Sequence, residues 1–445
     1  MPSLMGLTGR VIVEGESGYE EARLDFNARF SKYPKAIVYC MNEQDVVNAV
    51  RWARKHEMPF RVRGGGHSYE AFSLVDGGLV IDISMLQHLH IDKEAGTAYV
   101  GAGFRVLPLY EALWKQGRTI PSGTCGTTGV SGLTLGGGFG YLSRHFGMTC
   151  DNLLAIDMVD WRGRMIRANE KEHSDLLWAC RGAGDGSFGV VTAFTFRVNP
   201  IGDVAHYSMA WDFSDLHKVV RFWQEWAPHV DDRLTPTLLL PAKNHGDIRS
   251  RGVFVGLEKE LRQLIRPLQQ AVPPKTISIR SASWITVARM FAGTATSRTK
   301  FKNSSAYVYE PLSNEALSIF THHLSETPGT GNLVLFDAYG GAIGRIPPDA
   351  TAFVHRRALF MIQYLSYWEH DRDEAANIRW IEQFRTSMLP FTRGAYRNYC
   401  DLLIPDWQTA YFGENIDRLK TVKKKYDPEN VFQFEQSIPL PEQKS

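Results

Sequence analysis

The chain has 445 residues, 44% of them hydrophobic and 22% charged, which supplies a large core and excludes a disordered, fibrous or coiled-coil protein. The 50 lysines and arginines against 48 aspartates and glutamates leave a net charge of +2, so no overall field favours nucleic acid or an anionic membrane. No apolar run reaches the ~18 residues of a spanning helix, and five cysteines without paired spacing suggest neither a disulfide framework nor a zinc site.

At roughly 150 residues per domain the length predicts two or three domains. A short apolar strand at Ala36–Tyr39 is followed by Asn42 as a helix cap, with Val46, Val47, Val50 and Ala53 at helical spacing and Pro59 as a stop. Phe60-Arg61-Val62-Arg63 alternates like a strand and runs into Gly64-Gly65-Gly66-His67. Strands are predicted at 79–83 and 97–100, then a helix over 106–116 that ends at Gly117. From Ser122 to Gly147 nine of 26 residues are glycine, a density that signals close backbone approach to a ligand or to another segment. A strand at 154–160, a short helix from Ser174 and a long strand from Val190 to Val198 follow, with Pro200 closing the region. Beyond it, amphipathic helices alternate with strands, for example a helix over 216–226 and strands near 237–240 and 252–257. The last predicted element is a helix over 414–426. Domain boundaries are expected near 200 and 400, with 401–445 returning to the first domain.

Three consecutive glycines let successive N–H groups converge on one anion, which implies a phosphate-bearing ligand at Arg63–Ser68. Neither a P-loop nor the usual dinucleotide fingerprint is present, because Gly136-Gly137-Gly138-Phe139-Gly140 lacks the lysine and hydroxyl residue that would follow a P-loop. His67 and Cys125 both sit among glycines, where a ligand can reach them. A packing cysteine usually lies in an apolar run, as Cys40 and Cys180 do.

Arg61-Val62-Arg63-Gly64-Gly65-Gly66-His67-Ser68, Ser122-Gly123-Thr124-Cys125-Gly126, Gly132–Gly140, Asp151-Asn152-Leu153, Tyr396–Asp401 and Tyr411–Asn415 together resemble the berberine bridge enzyme-like FAD oxidases of the vanillyl-alcohol oxidase superfamily. The resemblance runs from about Tyr33 to Ile438. It implies an α+β, two-domain fold, with an FAD-binding domain over 1–200 and a substrate domain over 201–400 built on an antiparallel sheet covered by helices. It also implies FAD held covalently at two points, His67 on the 8α carbon and Cys125 on C6.

Further cofactor contacts are expected from Arg63, Gly64, Gly65, Gly66, Ser68, Gly123, Gly126, Thr128, Gly129, Gly132, Gly136, Gly137, Gly138, Asn152, Gly189, Val190, Tyr411 and Asn415. Many relatives have proline after the cysteine and an aliphatic residue where this chain has Thr128; its similar volume predicts that dioxygen still reaches the flavin. Tyr396 is the first expected proton acceptor and Tyr399 the second, with Gln363 as a substrate contact on the strand Met361–Tyr364. The expected reaction oxidises an alcohol or a saccharide hemiacetal, to a lactone in the latter case, with dioxygen reduced to hydrogen peroxide. Tailoring of a polyketide or alkaloid is the alternative, and the 11 tryptophans, Trp223, Trp226, Trp284 and Trp368 among them, lean towards sugar stacking. An NADPH-dependent reductase is disfavoured by the paired His67 and Cys125, and a silent FAD-binding protein would carry flavin without turnover. Small-molecule substrate and dioxygen are the expected partners, with no nucleic acid, membrane or metal, and the cytoplasm is the expected location; oligomeric state is left open.

Overall fold

A computed structural model describes residues 3–292 and 298–442. Near the N-terminus, Arg10–Val13 runs antiparallel to Ala36–Tyr39, which pairs in parallel with Leu79–Asp82 and through it with Phe60–Arg63. Helix Glu43–Lys55 makes the crossover. Asn42 accepts from the Asp45 N–H at its start, and Val46, Val47, Ala49, Val50, Trp52 and Ala53 form its buried stripe. A second, antiparallel sheet takes the order Leu89–Asp92, Thr97–Gly101, Val190–Arg197, Leu153–Val159, Met165–Asn169.

The third sheet is antiparallel and seven-stranded: Thr276–Ser283, Asp203–Trp211, Ile248–Phe254, Leu234–Pro241, Leu333–Ala338, Phe360–Trp368 and Lys300–Val308, in that spatial order. Alternation along its strands assigns the two faces. Phe360, Ile362 and Tyr364, with Val334 and Phe336 beside them, pack into one core with helices Leu216–Trp226, Glu258–Ala271, Asn314–Ser325 and Glu374–Met388. Leu335, Asp337, Gln363, Leu365 and Tyr367 point from the opposite face into a cavity. This is the α+β architecture expected, with helices over one face of an antiparallel sheet.

Local differences have local causes. The strand expected at 252–257 is Ile248–Phe254, because Arg249 and Arg251 occupy outward positions that a search for apolar residues passes over. Within the glycine-rich stretch, Val130–Leu135 coils into a short helix. The last helix is Ile416–Tyr426, preceded by a 3₁₀ turn at Gly413–Asn415.

Residues 395–438 pack back against the first two sheets. Lys423 Nζ, fully buried, donates to the Ser187 and Phe432 carbonyls and to Asp427 at 2.6–2.7 Å. Lys302 Nζ, on the sheet's edge strand, lies 2.5 Å from both Glu70 and Asp401, and Glu70 also pairs with Arg29. One buried cation thereby ties together three segments far apart in sequence.

Candidate active site

Between the open face of the seven-stranded sheet and the glycine loops lies a cavity of about 510 Å³. Its floor is Gly64–Ser68 together with Gly123–Cys125 and Thr128–Gly132. The far wall carries Gln363 and Asp337, and Tyr396–Cys400 and Phe432–Phe434 close it from the C-terminal segment. The two glycine loops touch backbone to backbone: a Cβ at Gly65 would come 2.2 Å from the Gly129 nitrogen, and one at Gly64 would come 2.3 Å from Ser131 Oγ. Side chains there would push the loops apart, which is why the sequence spends glycine at both.

His67 stacks on Phe26 at 4.2 Å, and burial lowers its pKa to about 4, so the imidazole is neutral near pH 7 with a lone pair available. Cys125 Sγ lies 3.3 Å from Thr127 Oγ1. Tyr396 Oη accepts the Gly138 N–H at 2.8 Å and Asn398 Nδ2 at 3.0 Å, and neither contact uses its own proton. Burial nonetheless pushes the Tyr396 pKa up, so at neutral pH it is a phenol unless an additional charge favours ionisation. Tyr399 stacks on Tyr69 at 5.8 Å, and burial raises its pKa too. Gln363 Nε2 donates to Asn303 Oδ1 at 2.8 Å across the strand pair.

Of the residues expected from the sequence, Gly64, Gly65, Gly66, His67, Ser68, Gly123, Cys125, Thr128, Gly129, Gly132, Gly189, Gln363, Tyr396 and Tyr399 line this one cavity. Gly126, Gly136, Gly137, Gly138, Asn152, Val190, Tyr411 and Asn415 stand outside its lining, in supporting positions. A Cβ at Gly136 would overlap Asn398 Oδ1 at 2.0 Å, so this glycine run brings the C-terminal tyrosine motif into place. Asn152 Nδ2 holds the Phe146 and Met148 carbonyls, Asn415 Nδ2 holds those of Pro348 and Thr351, and Tyr411 Oη accepts the Asp401 N–H. Arg63 is turned away from the cavity: its Nε donates to Asp82 at 2.5 Å and its Nη1 to the Ala22 carbonyl at 2.6 Å.

The tryptophan expectation is corrected as well, because no tryptophan lines the cavity; Trp223, Trp284 and Trp368 are core residues, and the Trp226 indole donates to the Leu264 carbonyl. The aromatic lining is of tyrosine and phenylalanine instead, Tyr69, Tyr141, Tyr367, Tyr396, Phe139 and Phe291 among them.

Among the lining residues that sequence reasoning missed, three carry charge that bears on the site. Asp337 faces the cavity, and burial raises its carboxyl pKa to about 7. Arg397 donates through Nε to Asp185 at 2.6 Å, sits over Phe72, Tyr411 and Phe434, and keeps Nη2 buried without a partner. Arg61 likewise has a buried, unpartnered Nε. Arg61 and Arg397 were visible inside the quoted motifs, and Asp337 carried no signal beyond a carboxylate closing an apolar run, Leu333–Phe336.

Residues 34–169 match the FAD binding domain family, and residues 395–439 match the family described as berberine and berberine like. The chain is 42% identical over 97% of both sequences to an uncharacterized FAD-linked oxidoreductase, YgaK, of Bacillus subtilis. It is 31% identical to the monolignol oxidoreductase AtBBE-like 13 of Arabidopsis thaliana, over 91% of this chain and 84% of that one. Among solved structures, BBE-like 1 of Physcomitrella patens superposes with a TM-score of 0.94 at 35% identity and 99% coverage of both chains. A chitooligosaccharide oxidase superposes with a TM-score of 0.89 at 26% identity, over 98% of each chain. The chain belongs to the berberine bridge enzyme-like FAD-linked oxidoreductases.

The cavity wall suits that cofactor. The glycine loops form a floor with few side chains, and the wall presents buried polar atoms without partners among the described residues, Arg61 Nε, Arg397 Nη2 and Asp185 Oδ1, of both donor and acceptor kind. No helix among the described residues is long and apolar enough to cross a membrane, and no group of three or more His, Cys, Asp or Glu among them could hold a metal ion.

Proposed function

We propose that the enzyme is an oxidase whose FAD is attached at both His67 and Cys125, and that it oxidises an alcohol or hemiacetal carbon with dioxygen reduced to hydrogen peroxide. The observation that carries this reading is that His67, Cys125, Thr128, Gln363, Tyr396 and Tyr399, spread over more than 300 residues, line one cavity. When bound, FAD supplies a two-electron acceptor for the hydride leaving the substrate carbon.

The protein's part is binding and proton handling. His67 is neutral at working pH and so nucleophilic. Tyr396 receives the substrate hydroxyl proton as its phenolate, the form that the hydrogen bonds from the Gly138 N–H and from Asn398 favour against the burial that raises its pKa. Asn398 is fixed in turn by donating to the Leu133 carbonyl at 2.9 Å. Gln363 and Asp337 face the substrate from adjacent strands, and Asp337, titrating about pH 7, sets the charge of that wall. Tyr141, Phe291, Leu365 and Tyr367 exclude water.

The name of the chitooligosaccharide oxidase supports a saccharide substrate, with a lactone as the first product. The name of the monolignol oxidoreductase, together with a lining of tyrosine, phenylalanine and leucine rather than tryptophan, favours an aromatic alcohol as the second reading. Acid precipitation of the purified protein tests attachment. A yellow pellet and an intact mass exceeding the chain by one FAD are expected, with flavin still in the pellet from H67A and from C125A singly. A colourless pellet over a yellow supernatant refutes the tethers. Peroxide release on mono- and oligosaccharides, set against cinnamyl-type alcohols, then separates the two substrate readings.

A further inference from the structure

Arg61 and Arg63 lie two residues apart on the strand that ends in the Gly64–Gly66 loop, and their guanidinium groups have different fates. Arg63 is spent inside the fold on Asp82 and the Ala22 carbonyl, with Asp25 3.8 Å away. Arg61 lines the cavity. Among the described residues its Nη1 reaches the carbonyl of its own neighbour Phe60, its Nε is buried without a partner, and its nearest carboxylate, Glu435, lies at 3.9 Å, beyond hydrogen-bond reach. Glu435 is shared with Lys32 at 3.7 Å and follows the lining residues Phe432–Phe434. The cavity's other arginine, Arg397, is already engaged by Asp185.

We propose that Arg61, rather than Arg63, is the cation that meets the diphosphate of the cofactor, with Glu435 as its displaceable counter-ion. A guanidinium offers a dianionic diphosphate charge-assisted hydrogen bonds from a planar fork, and the adjoining glycine N–H groups add uncharged donors on the same side. Glu435, too distant to bond, balances the charge without competing for the donors. The proposal rests on the flavin lying along His67 and Cys125, and not on its being tethered there.

The test uses the full chain carrying H67A and C125A, so that flavins exchange, and compares FAD with riboflavin, which has no phosphate, by quenching of flavin fluorescence. R61Q is expected to raise the FAD dissociation constant tenfold or more while leaving that of riboflavin within twofold. R61K, which keeps the charge without the fork, recovers part of the loss. E435Q tightens FAD a few-fold and leaves riboflavin unchanged, and carries the same test should R61Q fail to fold. R63Q lowers the melting temperature and weakens both flavins alike. Equal losses for FAD and riboflavin in R61Q, or no loss in either, overturn the proposal, as does weaker FAD binding in E435Q. The failure of the tether reading is separate, since it appears as flavin released by acid from the otherwise unmodified protein.

Discussion

In the proposed reaction Tyr396 and Asp337 divide the proton chemistry of the cavity between them. The tyrosine oxygen accepts two hydrogen bonds and is held against burial that disfavours its phenolate, so removing it leaves two donors aimed at nothing. Y396F should lower kcat by about 10² to 10⁴ with the flavin content unchanged, as read from the absorbance of the purified protein and steady-state rates. Asp337 lines the same cavity from the strand paired with Phe360–Trp368. Its folded pKa of about 7 stands above the ordinary value of 3.8, so the native state binds the extra proton between those pH values and stability falls as pH rises through that window. D337N, which cannot ionise, should therefore melt higher than the parent at pH 8 and lose the limb of the kcat/KM profile near pH 7. An unchanged profile would remove Asp337 from the chemistry. The arginines show how far residues could be read in advance: Arg61 and Arg63 are equivalent in the string, and only the placement of Asp82, Asp25 and Glu435 separates a structural cation from a cavity cation.

At the scale of elements, the glycine stretch was legible as a place of close approach, yet what approaches was not. Gly64–Gly66 and Gly129 form the cavity floor, whereas Gly136–Gly138 receive Asn398 and Tyr396 from a segment about 260 residues later. G136A should consequently damage turnover rather than flavin binding, because its methyl group occupies the position of the Asn398 amide. The N398A variant of G136A relieves the overlap, so the double variant should lose less than the two single losses combined. Helix Glu43–Lys55 was readable at its start because its cap and its apolar stripe agree, while Pro59, expected as its stop, lies beyond its end at Lys55. The wall strand Phe360–Trp368 was read as Met361–Tyr364 with Gln363 towards the ligand, and Gln363 does line the cavity; its full length was not legible, because both of its faces are buried, one against helices and one against the cavity.

Across the whole molecule, the C-terminal segment is bound by buried charges. Lys302 faces Glu70 and Asp401 at 2.5 Å each, and truncating it would leave buried Asp401 without its cation and Glu70 with Arg29 alone. K302M should cost about 3–5 kcal/mol, seen as a lower melting temperature together with reduced flavin retention, since Tyr396–Cys400 precede Asp401 directly. K423M should act similarly through Asp427.

The ordering of these pieces along the chain also constrains biosynthesis. The glycine floor emerges from the ribosome early, while Tyr396–Cys400 and Phe432–Phe434, which complete the cavity, emerge last. A nascent chain offers the cofactor a platform with no cover and a Glu70 lacking both Lys302 and the C-terminal contacts. The cavity therefore cannot close around a flavin before residues 396–434 are present to fold over the glycine floor.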